Sequence, residues 1–170
     1  MHSFLNRERM GRRYTLLVYV LFLSLWAKAQ LPTVNMQLGC GTVQVGQTIC
    51  IPVTISAVDS IVASEFTIAY NQLEFEFVSI NNPHPDFDQP LVVNPIQSFG
   101  RVKVAWTAPD IVNGSTFQDG DVLFEICLRA KAPGSYPIGF INSGEPLFLA
   151  YGRDGTEIIP SVQGCSIQVT

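Results

Sequence analysis

Apolar and polar residues alternate along most of the chain beyond residue 42. The alternation is clearest in four segments, residues 43–55, 65–70, 100–108 and 121–130. An apolar side chain at every second position is typical of a strand in an antiparallel sheet that buries one face. Turn-forming pairs such as Asn113-Gly114 and Pro133-Gly134 separate these segments. Several short strands at this spacing predict a β-sandwich or a β-barrel, while residues 58–64 fit either a helical turn or a crossover between two sheets.

The phase of the alternation assigns each side chain to the core or to the outer face of a sheet. On the core side the strands carry large apolar groups, each expected to contribute about 1.5–3 kcal/mol on full burial. These predicted core residues are Phe66, Tyr70, Phe75, Phe77, Trp106, Phe124 and Phe140. The outer positions of three strands are Glu65, Thr67 and Ala69, then Lys103, Ala105 and Thr107, and finally Glu125, Cys127 and Arg129.

The first residues of the chain follow a different pattern. Four arginines between residues 7 and 13 precede an apolar run at residues 15–26, which ends in Ala27-Lys28-Ala29. A basic opening, a short apolar run and small residues at a cleavage site are the parts of a secretory signal peptide. The run is shorter than the roughly 20 residues that a membrane-spanning helix needs. The sequence therefore predicts a signal peptide at residues 1–29, one domain at 30–170, and a secreted or cell-surface protein with no membrane span after cleavage.

Removing this segment makes the predicted mature chain acidic. Five of the ten basic residues and one of the fourteen acids lie before the cut, which leaves five basic and thirteen acidic residues and a net charge of −8. The acids are scattered and no basic patch forms, so nucleic acid is excluded as an expected partner.

All four cysteines lie in the predicted exported part, at positions 40, 50, 127 and 165. An even count in an oxidising compartment indicates two disulfides, and four cysteines allow three pairings. Cys40 and Cys50 are near the facing ends of the first two strands and are the pair that we predict. Because no C-x-x-C spacing occurs and His84 is the one histidine of the mature chain, we predict no metal site and no cofactor.

Candidate catalytic groups are few. Glu74 and Glu76 share a face beside a turn, and Asp86 and Asp88 lie with His84 in a proline-rich loop. That loop could be a cation site or a proton relay, but a solvated surface loop explains it more simply. No Gly-x-Ser-x-Gly motif is present, and we predict no catalytic residue.

Five segments of the chain form an ordered set: VGQTICIPVTI (45–55), SEFTIAYNQLEFEFVSI (64–80), DGDVLFEICLRA (119–130), GSYPIGFINS (134–143) and GTEIIPSVQGCSIQV (155–169). In this order they resemble the strands of the cohesin domain, the sandwich of bacterial scaffold proteins. The resemblance covers nearly all of the mature chain. It implies an all-β fold, a nine-stranded antiparallel β-sandwich with jelly-roll topology. In that layout Cys127 faces outward on the sheet opposite Cys165, and those two cannot approach. The alternatives are a local shift of phase or a cross-sheet pairing such as Cys50–Cys127.

The resemblance also implies a function, because cohesins bind dockerins, which are small calcium-loaded helical modules, through the outer face of one sheet. The expected partner is therefore another exported protein. The corresponding positions here are Glu65, Thr67, Ala69, Lys103, Ala105, Thr107, Glu125, Cys127 and Arg129, with Leu147 and Leu149 beside them. Dockerin-binding cohesins commonly carry an asparagine and an aspartate two residues apart at the start of the third strand. This chain has Ala63 and Glu65 there, so the acid is kept and the amide is lost.

Carbohydrate binding is the alternative function, since cohesins share their architecture with carbohydrate-binding modules. A polysaccharide site requires exposed aromatic rings on one face, onto which sugars stack. The candidates are Tyr136, Tyr151 and Trp106, although the phase of Trp106 matches the core positions Val102 and Val104.

Overall fold

The computed structural model describes residues 33–88, 91–141 and 149–170. The predicted signal peptide and Leu147 lie outside these residues. Within them no helix is long and apolar enough to cross a membrane. The described elements are β1 (Thr33–Leu38), β2 (Thr42–Val43), β3 (Thr48–Ile55), β4 (Val58–Ala69), β5 (Phe75–Asn81), α1 (Pro85–Asp88), β6 (Leu91–Ile96), a 3-10 turn (Gln97–Phe99), β7 (Arg101–Thr107), β8 (Ser115–Phe117), β9 (Asp121–Ala130), β10 (Gly134–Phe140), β11 (Leu149–Gly152), β12 (Ile159–Gln163) and β13 (Cys165–Val169).

The strands form two sheets that pack as a sandwich, which confirms the predicted fold class. One sheet has the order β12-β1-β3-β9-β5. The other has the order β2-β13-β10-β4-β7-β6, and β8 and β11 also pair with β4. We refer to these as the β9 sheet and the β4 sheet.

The strand count differs from the predicted nine, because the described residues contain thirteen strand segments. The first strand starts in the β9 sheet as β1 and continues in the β4 sheet as β2, and the last strand does the same as β12 and β13. These two strands also pair in parallel, β1 with β12 and β2 with β13, so the sandwich is not antiparallel throughout. Residues 58–64 are the first half of the long strand β4, and the helical-turn alternative is wrong.

The core lies between the sheets and is built from the predicted inward positions. Phe66, Phe75, Trp106 and Phe124 are each no more than 2% exposed, while Phe77 and Phe140 are partly buried and pack against them. Phe66 of the β4 sheet stacks on Phe124 of the β9 sheet, with ring centroids 6.1 Å apart. The period-two pattern of the sequence therefore placed these side chains on the correct side of each strand.

Gly100 is the position where the backbone most requires glycine. It has φ +60° and ψ 46°, and its carbonyl accepts a 2.8 Å hydrogen bond from Tyr70 N. A Cβ at Gly100 would press on the carbonyl oxygen of Tyr70. We expect Gly100→Ala to lower the free energy of unfolding by about 2 kcal/mol, measured by urea denaturation. Gly46→Ala is the matched control, because Gly46 has φ +83° but open space around it, and it should cost about 1 kcal/mol. Equal losses at the two sites would contradict the crowding argument.

Candidate functional site

The outer face of the β4 sheet has two rows of paired residues at its β11–β4–β7–β6 end. The first row joins Tyr151, Ala63 and Thr107 on β11, β4 and β7. The second row runs across all four strands through Leu149, Glu65, Ala105 and Val92. We call Ala63, Glu65, Val92, Ala105, Thr107 and Tyr151 the β4 outer face.

The centre of the β4 outer face is a shallow depression of about 270 Å³. Ala63 and Ala105 lie in the middle of the two rows, between larger side chains. The apolar rim is accessible, since Val92 is 60% exposed and Tyr151 is 37% exposed. Small residues flanked by an aliphatic and an aromatic group let a partner approach the sheet closely and bury apolar surface.

The charges near this face are free to meet charges on a partner. Glu65 lies on β4, and Lys103 lies one row further along on β7, opposite Thr67. In the part of the chain that the structure describes, the ion pair is formed by Arg129 and Glu76, which both lie in the β9 sheet. Glu65 and Lys103 are thus not neutralised by an ion pair with a described residue.

Thr67 does not belong to the exposed surface. It has the outward phase that the sequence predicts, but it is 0% exposed, so its prediction as a binding residue is wrong. Ala69 and Lys103 are half-buried, and Ala69 pairs with Gly139 of β10 and Arg101 of β7. The exposed residues of the β4 outer face are Val92, Thr107 and Tyr151, while Glu65 is half-buried like Ala69 and Lys103.

Glu125 and Arg129 lie on the opposite side of the sandwich, which corrects their assignment to the same face. Their strand β9 pairs with β3 and β5 in the β9 sheet. There Glu125 accepts a 2.8 Å hydrogen bond from Asn82 Nδ2, and Arg129 lies 2.7 Å from Glu76. The hydrogen bond from Arg129 and its positive charge hold the pKa of Glu76 below its usual range. Both residues therefore already have partners on this side of the sandwich, Asn82 directly after β5 and Glu76 on β5.

Cys127 is also on β9 and is 1% exposed. It forms a disulfide with Cys50, its directly paired neighbour on β3, with the Cα atoms 4.0 Å apart. The predicted pair Cys40–Cys50 is wrong, and the alternative partners Cys50 and Cys127 are bonded within one sheet rather than across the sandwich. Cys40 and Cys165 are free thiols.

The aromatic residues proposed for sugar stacking do not share a surface. Trp106 is 2% exposed, and its Nε1 donates a 2.8 Å hydrogen bond to the carbonyl of Asp86. Tyr136 is partly buried with its ring edge against Phe75, and its hydroxyl donates to the carbonyl of Pro133. Tyr151 alone of the three belongs to the β4 outer face, so these residues form no stacking platform.

The proline-rich loop is anchored by packing. Phe87 is 1% exposed, the ring of His84 packs against Phe117, and His84 Nδ1 accepts a hydrogen bond from the Asp86 backbone N–H. Among the described residues no group of three His, Cys, Asp or Glu side chains is placed to hold a metal ion. The arrangement thus gives His84 a structural role in this loop.

The sequence analysis did not predict strand β6, and it did not place Val92 on the candidate surface. The segment Leu91–Ile96 contains Pro95, which breaks the usual strand composition, yet β6 is an edge strand where proline is tolerated. The apolar, β-branched run Leu91-Val92-Val93 was the available signal for a strand.

Fold and site together define a two-sheet jelly-roll sandwich with one accessible, small-residue face. The family model for the cohesin domain matches residues 34–145. The chain therefore belongs to the cohesin domain family. No curated protein sequence matches it.

Solved structures of cohesins have the same fold. A type I cohesin–dockerin complex from Clostridium thermocellum is 20% identical with TM-score 0.69, covering 81% of this chain and 99% of that chain. The seventh ScaB type I cohesin of Pseudobacteroides cellulosolvens is 20% identical with TM-score 0.69, covering 82% and 94%. A non-cellulosomal cohesin of Archaeoglobus fulgidus is 16% identical with TM-score 0.64, covering 81% and 91%. At these identities the likeness establishes the fold.

Proposed function

We propose that this protein is an exported, non-catalytic docking module that binds a dockerin-like helical partner through the β4 outer face. The observation that carries the proposal is the row Glu65–Ala105–Val92, which places small, apolar and charged groups side by side on one accessible surface. Membership of the cohesin family supports it, as do similar cohesins solved in complex with dockerins.

The chemistry of the face suggests how such a partner would bind. The two alanines allow the backbone of a helix to approach the sheet, while Val92 and Tyr151 would bury apolar area at the rim. Glu65 would pair with a cationic or hydrogen-bond-donating group of the partner. Because Ala63 stands where dockerin-binding cohesins commonly carry asparagine, the partner would rely less on a polar contact at this position and more on apolar contact.

Export is the second part of the proposal. A cleaved signal peptide at residues 1–29 would carry the domain out of the cytoplasm. The Cys50–Cys127 disulfide supports this compartment, since disulfides persist in oxidising environments and are rare in the cytosol.

The docking proposal predicts that two changes on the β4 outer face weaken partner binding. The full chain would be immobilised and used to capture exported proteins of its source organism in calcium and, in parallel, after chelation. A captured partner that is lost on chelation would then be titrated against Glu65→Lys and Ala105→Arg. Each change should weaken binding at least about tenfold, because it places an opposed charge or a bulky cation in the centre of the interface.

Val122→Arg is the matched control, because it adds the same cation at an exposed position of the β9 sheet. It should leave the affinity unchanged. Thermal unfolding of all variants, with and without calcium, would establish that folding is intact and that chelation acts on the partner. Equal loss for Val122→Arg and Ala105→Arg would contradict the assigned face. Retention on insoluble polysaccharide without any protein partner would contradict the docking function itself.

A further inference from the structure

The first and last strands of the sandwich change sheets together. In the β9 sheet Thr33 pairs with Ile159 and Gln37 with Gln163, and in the β4 sheet Thr42 pairs with Gln168. Each of these pairs has the same offset along the chain, so the two strands stay side by side in one register through the change. The same register places Gly39 opposite Cys165. Cys40 follows Gly39 in the chain and therefore lies diagonally across from Cys165.

Glycines fix the path of both strands at this point. A Cβ at Gly39 would lie 2.7 Å from the Pro52 ring, and a Cβ at Gly164 would lie 2.5 Å from the carbonyl oxygen of Ile138. Both approaches are closer than real Cβ contacts allow, so the two backbones reach these positions because they carry no side chain there. The neighbouring cysteines are therefore held in place by close-packed backbone.

The two cysteine side chains are neighbours at this crossing. Cys165 Sγ donates a 2.7 Å hydrogen bond to the carbonyl of Gly39, the residue before Cys40, and the Cys40 side chain lies close enough to contribute to the raised pKa of Cys165. Neighbouring strands lie about 4.8 Å apart with a rise of about 3.3 Å per residue, so a one-residue diagonal spans about 5.8 Å between Cα atoms. That value falls within the range over which disulfides form.

We propose that Cys40 and Cys165 are a second disulfide site, which an external disulfide closes to fasten the first strand to the last where both change sheets. The site is independent of the docking function, since Cys40 lies between β1 and β2 and Cys165 begins β13, and β10 separates β13 from β4.

Exposure sets the order of the reaction. Cys40 is exposed and Cys165 is partly buried, so the Cys40 thiolate attacks one sulfur of the external disulfide and releases one thiolate. The Cys165 thiolate then attacks Cys40 Sγ, forms the Sγ–Sγ bond and releases the second thiolate. The two protons lost by the cysteines convert the released thiolates to thiols. The protein is oxidised by two electrons and the external disulfide is reduced to two thiols.

The environment of Cys165 slows the second step. Burial, with a contribution from Cys40, raises the pKa of Cys165 to about 12, so its thiolate is scarce at neutral pH. The same property makes Cys165 a poor leaving group, which slows reduction of the bond once it has formed.

The test uses the purified full chain, incubated with an excess of oxidised glutathione and then denatured and alkylated. Before oxidation, Cys40 and Cys165 should both be alkylated, while Cys50 and Cys127 are not. After oxidation both thiols should be blocked, the intact mass should fall by about 2 Da for the two hydrogens lost, and proteolysis should yield one peptide pair linked through Cys40 and Cys165.

The double variant Cys40→Ser and Cys165→Ser is the control, because it retains the Cys50–Cys127 bond. The oxidised wild type should unfold at a urea concentration about 1 M higher than this variant, since the new bond closes a long loop. Three results would overturn the proposal: both thiols remaining open to alkylation, Cys40 stopping as a mixed disulfide with glutathione, or a disulfide forming between two chains.

Discussion

Replacing Phe87 with alanine is expected to lower the free energy of unfolding by about 3–5 kcal/mol. Phe87 belongs to the single turn α1, and its ring is 1% exposed. The ring stacks on Trp106 with centroids 4.9 Å apart and on Phe124 with centroids 5.7 Å apart. Because Trp106 belongs to the β4 sheet and Phe124 to the β9 sheet, Phe87 fills space between the two sheets. Alanine would leave a cavity that these rings cannot close without moving.

Urea denaturation followed by far-UV circular dichroism would measure this loss. Asp88→Ala is the matched control, because Asp88 lies in the same turn but is exposed, and it should change stability by less than about 0.5 kcal/mol. Phe87→Leu should give an intermediate loss, since leucine refills part of the volume. If Phe87→Ala were no more destabilising than Asp88→Ala, the turn would not be part of the core.

This turn also shows why a local pattern can hide a core residue. Phe87 stands between two aspartates after a proline, a composition that predicts a solvated loop. No periodicity marks an isolated aromatic residue as buried. Its burial depends on Trp106, whose indole N–H bonds the carbonyl of Asp86, and that contact joins segments 20 residues apart.

The sequence predicted which side of each strand is buried, but it could not assign every strand to its sheet. Phe66, Val104 and Phe124 are all fully buried, as their alternation indicates. The same alternation holds for β9, whichever sheet it joins. Glu125 and Arg129 were therefore placed on the correct side of their strand and on the wrong side of the sandwich. Pairing between distant strands decides sheet membership, and a two-residue period carries no information about it.

The candidate site was predictable to the same extent. Glu65, Ala105 and Thr107 were predicted to face outward because β4 and β7 have clear alternation, and the register places them in adjacent rows. Thr67 shares the phase of Glu65 and is nevertheless buried, because accessibility depends on what covers a strand as well as on phase. The place where the first strand changes sheets was not predicted. Nothing in the local sequence shows that Gly39 packs closely against Pro52, or Gly41 against Ile49.

Removing the Cys50–Cys127 disulfide is expected to lower the free energy of unfolding by about 2–4 kcal/mol. The bond joins cysteines 77 residues apart in sequence, so it restricts a long segment of the unfolded chain. In the folded protein it links β3 to β9 at directly paired positions in the middle of the β9 sheet. Its loss should therefore act mainly by raising the entropy of the unfolded state, and the folded sandwich should persist.

The measurement requires a background in which the other thiols cannot contribute. In the Cys40→Ser and Cys165→Ser variant, adding reductant should lower the urea midpoint, and the further changes Cys50→Ala and Cys127→Ala should lower it similarly without reductant. Reductant should then have no effect on the variant that lacks all four cysteines. A midpoint that reductant does not move in the first variant would mean that the Cys50–Cys127 bond does not stabilise the fold. If the two alanine substitutions lower the urea midpoint clearly more than reduction does, the additional loss would come from lost packing at Cys127, which is 1% exposed, and not from the covalent bond.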